Sequence, residues 1–548
     1  MTVPVDPITT QVIRSALKAA ADEMMISLIK TAHNPLIYEI QDFGIALLNH
    51  RGEMLAEGSG LPGFMGCLPP TVQSGLQKIG VENFSEGDIL LTNEPYDTGT
   101  HISDTAVYMP IFFEGQLVAF SALMAHWADI GGKTPGGWCP DTTDVHQEGL
   151  IFSHDKLYDG GKLNEVFLNF ILTNVRFPEL VKGDLNAMIA SCRTGTRRYQ
   201  ALCERHGVDV LDAAMQIVFD QSEKIMRKKI TEIPDGSYSA STMMDHDGVN
   251  LDIPRKLHVT VTVDDDEMTV DWTGTDEVTN GPINHPFIGT KAMAEMVLKA
   301  LTMPSDPMNH GHLRPLHVTA PDNTIVSPLY PAPCDSYGYV GEMIIQLIIK
   351  ALSQAIPERC PAASYQMFGV YFYRTDPRYG EPFIYTEPID GGGGAFPHAD
   401  GPNALIFVGD GDAPNTPIEI IENSYPLRVT RYTFNPDGAG NGKYRGGLGV
   451  IRDYEMLEDN ILMQTMNENT LHPPWGLYGG GNSGISRIIA WQGTDKEQIL
   501  TGRVYFFGPF NKGDRVSASS TGGGGWGNPE ERDPEAIKRD IKNGYLTE

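Results

Sequence analysis

Long apolar runs are missing from this chain. No stretch of 18 consecutive apolar residues occurs among its 548, and the N-terminus MTVPVDPITT has neither a basic start nor an apolar core. Neither a membrane span nor a signal peptide is therefore expected. Positive charge is also scarce: 41 Lys and Arg stand against 70 Asp and Glu, a formal net charge of −29. That balance excludes nucleic acid or an anionic membrane surface as the partner. Cysteine is sparse too, with six residues and no CxxC pair; reduced, buried thiols in a cytoplasmic protein are the expectation. Two nucleotide-binding signatures are absent as well. There is no GxxxxGK[ST], and no GxGxxG falls between a strand and a helix. If ATP is used, another chain is expected to handle it. No internal repeat of fixed period is present.

What remains is the composition of a globular enzyme long enough for several domains. Asp6-Pro7 starts a helix, and Ile8, Val12, Ala16, Ala20, Met24 and Leu28 recur at helical spacing through about Thr31. The strand Phe43–Leu48 turns at Asn49–Gly52, and Leu61–Pro70 reads as a loop before a short helix over Thr71–Ile79. A long irregular segment, Gly131–Leu150, follows the central strands; such segments are more often functional loops than linkers. Helical periodicity then dominates to about Lys229, and strand alternation begins near Gly236. After about Met367 the pattern is short strands with glycine-rich turns at Gly391–Gly394, Gly446-Gly447 and Gly522–Gly525. The fold class expected is α+β and multi-domain. It would comprise an N-terminal metal-binding α/β region (1–160), a helical middle (161–235), a mixed α/β region (236–365) and a strand-rich C-terminal part (366–548).

The stretch Gly87–Gly132 carries the chemistry. Thr105–Phe113 and Gln116–His126 are rich in Val, Ile, Phe, Tyr and Ala and flank Glu114-Gly115, which predicts a β-hairpin. A two-residue loop sets Asp104 opposite Ala125; a three-residue loop sets it opposite His126. Either register brings Asp104 and His126 together at the open end, with His101 where the strand begins. A lone histidine on a strand is more often a hydrogen-bonded structural residue. Two imidazoles and a carboxylate converging without cysteine instead make a ligand set for zinc, manganese or iron(II). Asp42, at a strand entrance, reads by itself as a turn or cap residue.

Seven segments, in order along the whole chain, resemble the hydantoinase B/oxoprolinase family. They are QDFGIALLNHRGEML (41–55), GDILLTNEPYDTGTHISDTAVYMPIF (87–112), AHWADIGG (125–132), VKGDLNAMIA (181–190), NGPINHP (280–286), GKYRGGLGVIRDY (442–454) and GGGGWGNP (522–529). The resemblance implies one subunit of an ATP-dependent enzyme that opens cyclic amides: lactams, hydantoins or 5-oxoproline. A hydantoinase A-type partner would phosphorylate the substrate at the expense of ATP, in a heterotetramer or larger assembly. This chain would then complete hydrolysis with a divalent metal. The family's metal pattern falls on His101, Asp104 and His126, with Asp42 as an implied fourth ligand, and Asp129 or Glu148 would accept the proton. Trp127 stands where many relatives carry a second histidine. The alternatives are a ketone carboxylase subunit and a non-catalytic scaffold whose His/Asp cluster is structural.

Overall fold

The structure, a computed structural model, describes residues 4–411, 413–436, 438–500, 502 and 507–546. Its first sheet is antiparallel and built from strands β1 (Phe43–Asn49), β2 (Met54–Glu57), β3 (Ile89–Thr92), β4 (Asp104–Phe113), β5 (Gln116–His126), β6 (Asp155–Asp159) and β7 (Lys162–Leu163), in the order β2-β1-β5-β4-β3-β6-β7. The central strands are buried on both faces. The helices Pro7–Thr31 and Pro178–His206 cover one face, where Ile13, Leu17, Met24, Leu185 and Met188 meet Ile45, Leu47 and Leu123. The helix Pro62–Ile79 covers the other, through Phe64, Leu68 and Val72. Asp6 begins the first helix as expected, its carboxylate accepting the backbone N–H groups of Ile8 and Thr9.

The expected loop at Leu61–Pro70 is instead helical, continuous from Pro62 through Ile79 despite Pro69 and Pro70. Each interior proline removes a helical hydrogen bond, at a cost of about 3 kcal/mol. Close packing on the helix Phe287–Thr302 offsets this. A Cβ on Gly66 would lie 2.7 Å from that of Ala292, so only glycine allows the approach.

Among the described residues the chain after residue 235 holds three further sheets. One contains strands 236–244, 255–264, 267–271 and 316–319, with the last pair parallel. The other two take up residues 368–519. The three glycine runs expected as separate turns meet in one junction. Gly447 donates to the carbonyl of Gly393, and Gly523 to that of Gly447, at 2.8 and 3.0 Å. A Cβ on Gly523 would sit 2.0 Å from the Gly393 oxygen, which explains why side chains are absent there.

A buried ion pair ties the last two sheets together: Arg452, on strand Val450–Met456, reaches Glu387, on strand Phe383–Pro388, at 2.5 Å, and both are at most 1% exposed. Replacing Arg452 by leucine strands a buried carboxylate and is expected to cost about 3–5 kcal/mol of stability. Replacing both partners by apolar residues is expected to cost much less. Chemical denaturation of the single and double variants measures the difference.

Candidate functional site

Asp104 begins β4, His126 ends β5, and Asp42 immediately precedes β1, so three adjacent strands end at one edge of the sheet. The hairpin loop is the two-residue Glu114-Gly115, with positive φ of 50° and 78° as a type I′ turn requires. A bulge between Ile111 and Phe112 then shifts the register by one residue and sets Asp104 directly opposite His126. The shorter loop and the closer pairing thus occur together. β1 lies on the other side of β5, where the His126 N–H donates to the Asp42 carbonyl at 3.2 Å. Gln41, just before Asp42, has a φ of 63°, a backbone strain held by its surroundings.

The donor atoms converge. His101 Nε2 lies 3.0 Å from Asp104 Oδ1 and 3.1 Å from His126 Nδ1, and the third side, His126 Nδ1 to Asp104 Oδ1, is 3.2 Å. All three residues are buried. The outer nitrogens identify the tautomers. His101 Nδ1 is 2.9 Å from the Asp335 carbonyl oxygen, and His126 Nε2 is 3.4 Å from that of Gly136. Carbonyls only accept, so the outer nitrogens carry the hydrogens and the inner ones present lone pairs. Two imidazole lone pairs and a carboxylate oxygen therefore face one another with no hydrogen between them. Such a triangle is repulsive unless a cation occupies its centre. Donor atoms held by one small divalent ion lie about 3 Å apart, so the set fits a metal.

The surroundings hold this arrangement. Tyr337, at the start of the helix Tyr337–Leu352, donates its hydroxyl to Asp104 Oδ2 at 3.0 Å. Trp138 stacks on His126, with ring centroids 5.8 Å apart at 18°. The Tyr337 hydroxyl is pushed well above its usual range by burial and by Asp104.

The other expected residues fall in different places. Asp42 lines the same cavity with Oδ1 unpartnered, but it does not join the group of donor atoms that lie within 4.8 Å of one another. Burial raises its carboxyl to about 7, His126 opposing the shift and Asp104 adding to it. Asp129 and Glu148, expected as proton acceptors, do not line the cavity. Asp129 accepts from Arg176, at its backbone N–H (2.6 Å) and its guanidinium (2.9 Å), anchoring the segment that leads into the long helix. Glu148 Oε1 accepts from the backbone N–H groups of Cys334 (2.9 Å) and Asp335 (3.0 Å) and from the Thr142 hydroxyl (2.9 Å). It therefore clamps the backbone whose Asp335 carbonyl orients His101.

Sequence reasoning missed Asp335, Tyr337, Trp138, Glu342 and Asp410. Trp138 lies in the irregular segment Gly131–Leu150; the others come from the distant second half, and no local spacing points to them. Leu36, Phe64, Met293, Met367, Phe407 and Met466 give the cavity an apolar wall. Among the described residues no helix is long and apolar enough to cross a membrane.

The profile of the hydantoinase B/oxoprolinase family matches residues 6–529. The B-type component of a D-/L-hydantoinase from Pseudomonas sp. (strain NS671) is 33% identical, over 99% of this chain and 93% of its own. The caprolactamase beta subunit of Pseudomonas jessenii is 30% identical, with 99% and 94% covered. The crystal structure of the ATP-dependent caprolactamase from the same organism matches with a TM-score of 0.92 at 29% identity, over 100% of this chain and 95% of that one.

Proposed function

The chain belongs to the hydantoinase B/oxoprolinase family, and we propose that it is the ring-opening subunit of an ATP-dependent cyclic amide hydrolase. The observation that carries this reading is the triangle of lone-pair donors on His101, Asp104 and His126, at one end of a buried cavity. A hydantoinase A-type partner would transfer a phosphoryl group from ATP to the amide oxygen. That converts an unreactive carbonyl into an imidate-like carbon with a good leaving group. A divalent ion, zinc or manganese or iron(II), held by the three residues would supply Lewis-acid charge beside that carbon.

The chain's own groups do the rest. Asp335 and Gly136 fix the two imidazole tautomers, and Tyr337 holds the Asp104 carboxylate in place. Asp42 Oδ1, unpartnered in the same cavity, would take the proton from the attacking water. In this reading Asp42 serves as the base in place of Asp129 or Glu148, which do not line the cavity. The apolar wall keeps bulk water from the activated carbon until the ring is seated.

Co-expression with an A-type partner and assay on a lactam and hydantoin panel tests the reading. Ring opening is expected to need both chains and ATP and to be indifferent to bicarbonate. Ketone consumption that appears only with bicarbonate would make the chain a carboxylase subunit instead.

A further inference from the structure

Glu342 is a buried acid with no part in the His101–Asp104–His126 triangle or in water activation. It is 4% exposed and lines the cavity from the helix Tyr337–Leu352, five residues after the tyrosine that holds Asp104. Five residues advance a helix by about 7.5 Å, a separation that a small ring bridges. Its Oε1 accepts the backbone N–H of Gly409 at 2.7 Å. A Cβ at position 409 would lie 2.2 Å from that oxygen, so only glycine lets the backbone come so close. This contact decides which oxygen carries the acid hydrogen. Oε1 is the acceptor, and Oε2, buried and without a partner, is left to bear it. Burial pushes the carboxyl up to about 8, so it is mostly protonated near neutral pH.

The other carboxyls and phenols lining the cavity are engaged or lie at its rim. Asp104 belongs to the triangle, Asp42 is the proposed base, and Tyr337 donates to Asp104. The Tyr371 hydroxyl donates to the Met466 sulfur at 2.9 Å. Asp410 is half-buried and also lines a surface groove that Lys18 shares. Glu342 Oε2 is the deeply buried donor.

Ring opening needs such a donor. Water adds across the C=N bond of the imidate: its oxygen bonds carbon, and the proton that Asp42 removes ends on nitrogen. The tetrahedral carbon then bears a hydroxyl, the ring nitrogen and the phosphate ester oxygen, and two collapses compete. Phosphate is the better leaving group; its departure turns the hydroxyl into a new amide carbonyl and wastes the ATP. A nitrogen anion leaves far more slowly, so the C–N bond breaks first only when a proton reaches nitrogen.

We propose that Glu342 Oε2 is the acid that protonates the leaving ring nitrogen and thereby couples phosphoryl transfer to ring opening. The C–N electron pair stays with nitrogen, which takes the Glu342 proton and becomes the amine. The hydroxyl proton passes to Asp42 as the carbonyl of an acyl phosphate forms. A second water displaces phosphate and leaves a carboxylate, its protons passing to phosphate and solvent. Asp42 then returns its proton to solvent, and Glu342 regains one from solvent. The proposal rests on the ring-opening reading and names the acid for its C–N cleavage.

The test uses the complex of this chain with its ATP-dependent partner and whichever of hydantoin, caprolactam and 2-pyrrolidone it opens fastest. Ring-dependent phosphate release, opened product and uptake of heavy oxygen from labelled water into the recovered ring are measured together. Glu342→Gln keeps an oxygen for the Gly409 N–H but has no acidic proton. It is expected to open the ring about 100-fold or more slowly, while phosphate release falls by less than about tenfold and the recovered ring acquires label. Phosphate release and ring opening that fall together, with no label in the ring, overturn the proposal, as does unchanged ring opening. Should the glutamine variant fail to assemble, Glu342→Ala decides in its place. Added formate, a small acid that fits the vacated space, is expected to restore its ring opening by about tenfold, and no restoration overturns the proposal. If the unaltered complex opens no ring, the ring-opening reading falls and this assignment with it.

Discussion

Replacing His126 by alanine is expected to lower affinity for divalent metal by more than about 100-fold and to abolish ATP-dependent ring opening. Loss of a group that merely orients a ligand costs about 10–100-fold in metal affinity, and the role proposed for His126 is that of a ligand itself. Its Nδ1 forms one corner of a triangle whose sides are 3.0–3.2 Å. Removing it leaves one imidazole and one carboxylate, too few to hold a zinc or manganese ion against water. The fold should survive, because the β4–β5 ladder is held by backbone hydrogen bonds along its whole length. Metal content, calorimetric affinity and the melting midpoint of the same sample separate these effects. Full metal content with full activity would show the cluster to be structural.

The second expected result separates two roles for Glu148. If its carboxylate clamps the Cys334–Asp335 backbone, Glu148→Ala should lower metal affinity about 10–100-fold, because the Asp335 carbonyl no longer aims His101. Glu148→Gln keeps an oxygen for the Cys334 and Asp335 N–H groups and the Thr142 hydroxyl, and should lose less than about tenfold. A proton acceptor behaves in the opposite way. Glutamine would then be as inactive as alanine, and metal affinity would not move. Burial and the neighbouring Asp335 push the Glu148 carboxyl well above its usual range, so a perturbed pKa alone does not distinguish the roles. Location does, since Glu148 is absent from the cavity wall.

Much of the His101–Asp104–His126 cluster was legible because it is local. His101, Asp104 and His126 lie within one hairpin, and alternation along two strands sufficed to bring them together. Even the open choice of register mattered little. The two-residue loop alone would have opposed Asp104 to Ala125, and the bulge at Ile111/Phe112 restores the closer pairing. A bulge of that kind reflects packing on both faces of β4 and β5, and no local residue pattern announces it. The helix at Pro62–Ile79 escapes a local reading for a related reason. Local propensity at Pro69-Pro70 argues for a loop, whereas burial of Phe64, Leu68 and Val72 and the close approach at Gly66 argue for a helix, and burial outweighs propensity.

Sequence alone determined the family, the α+β class, the metal-ligand candidates and the lack of a phosphate-binding loop, because each of these rests on short-range patterns. Tertiary structure decided the environment of the site. Only folding brings Asp335, Tyr337, Glu342 and Asp410, more than 200 residues from His101, against the hairpin. Only then can it be seen that Glu148 and Asp129 are hydrogen-bonded anchors while Asp42 and Glu342 keep free oxygens in the cavity. The physical reason is that burial and hydrogen-bond satisfaction give a carboxylate its role, and both are properties of the packed chain rather than of neighbouring residues in the sequence.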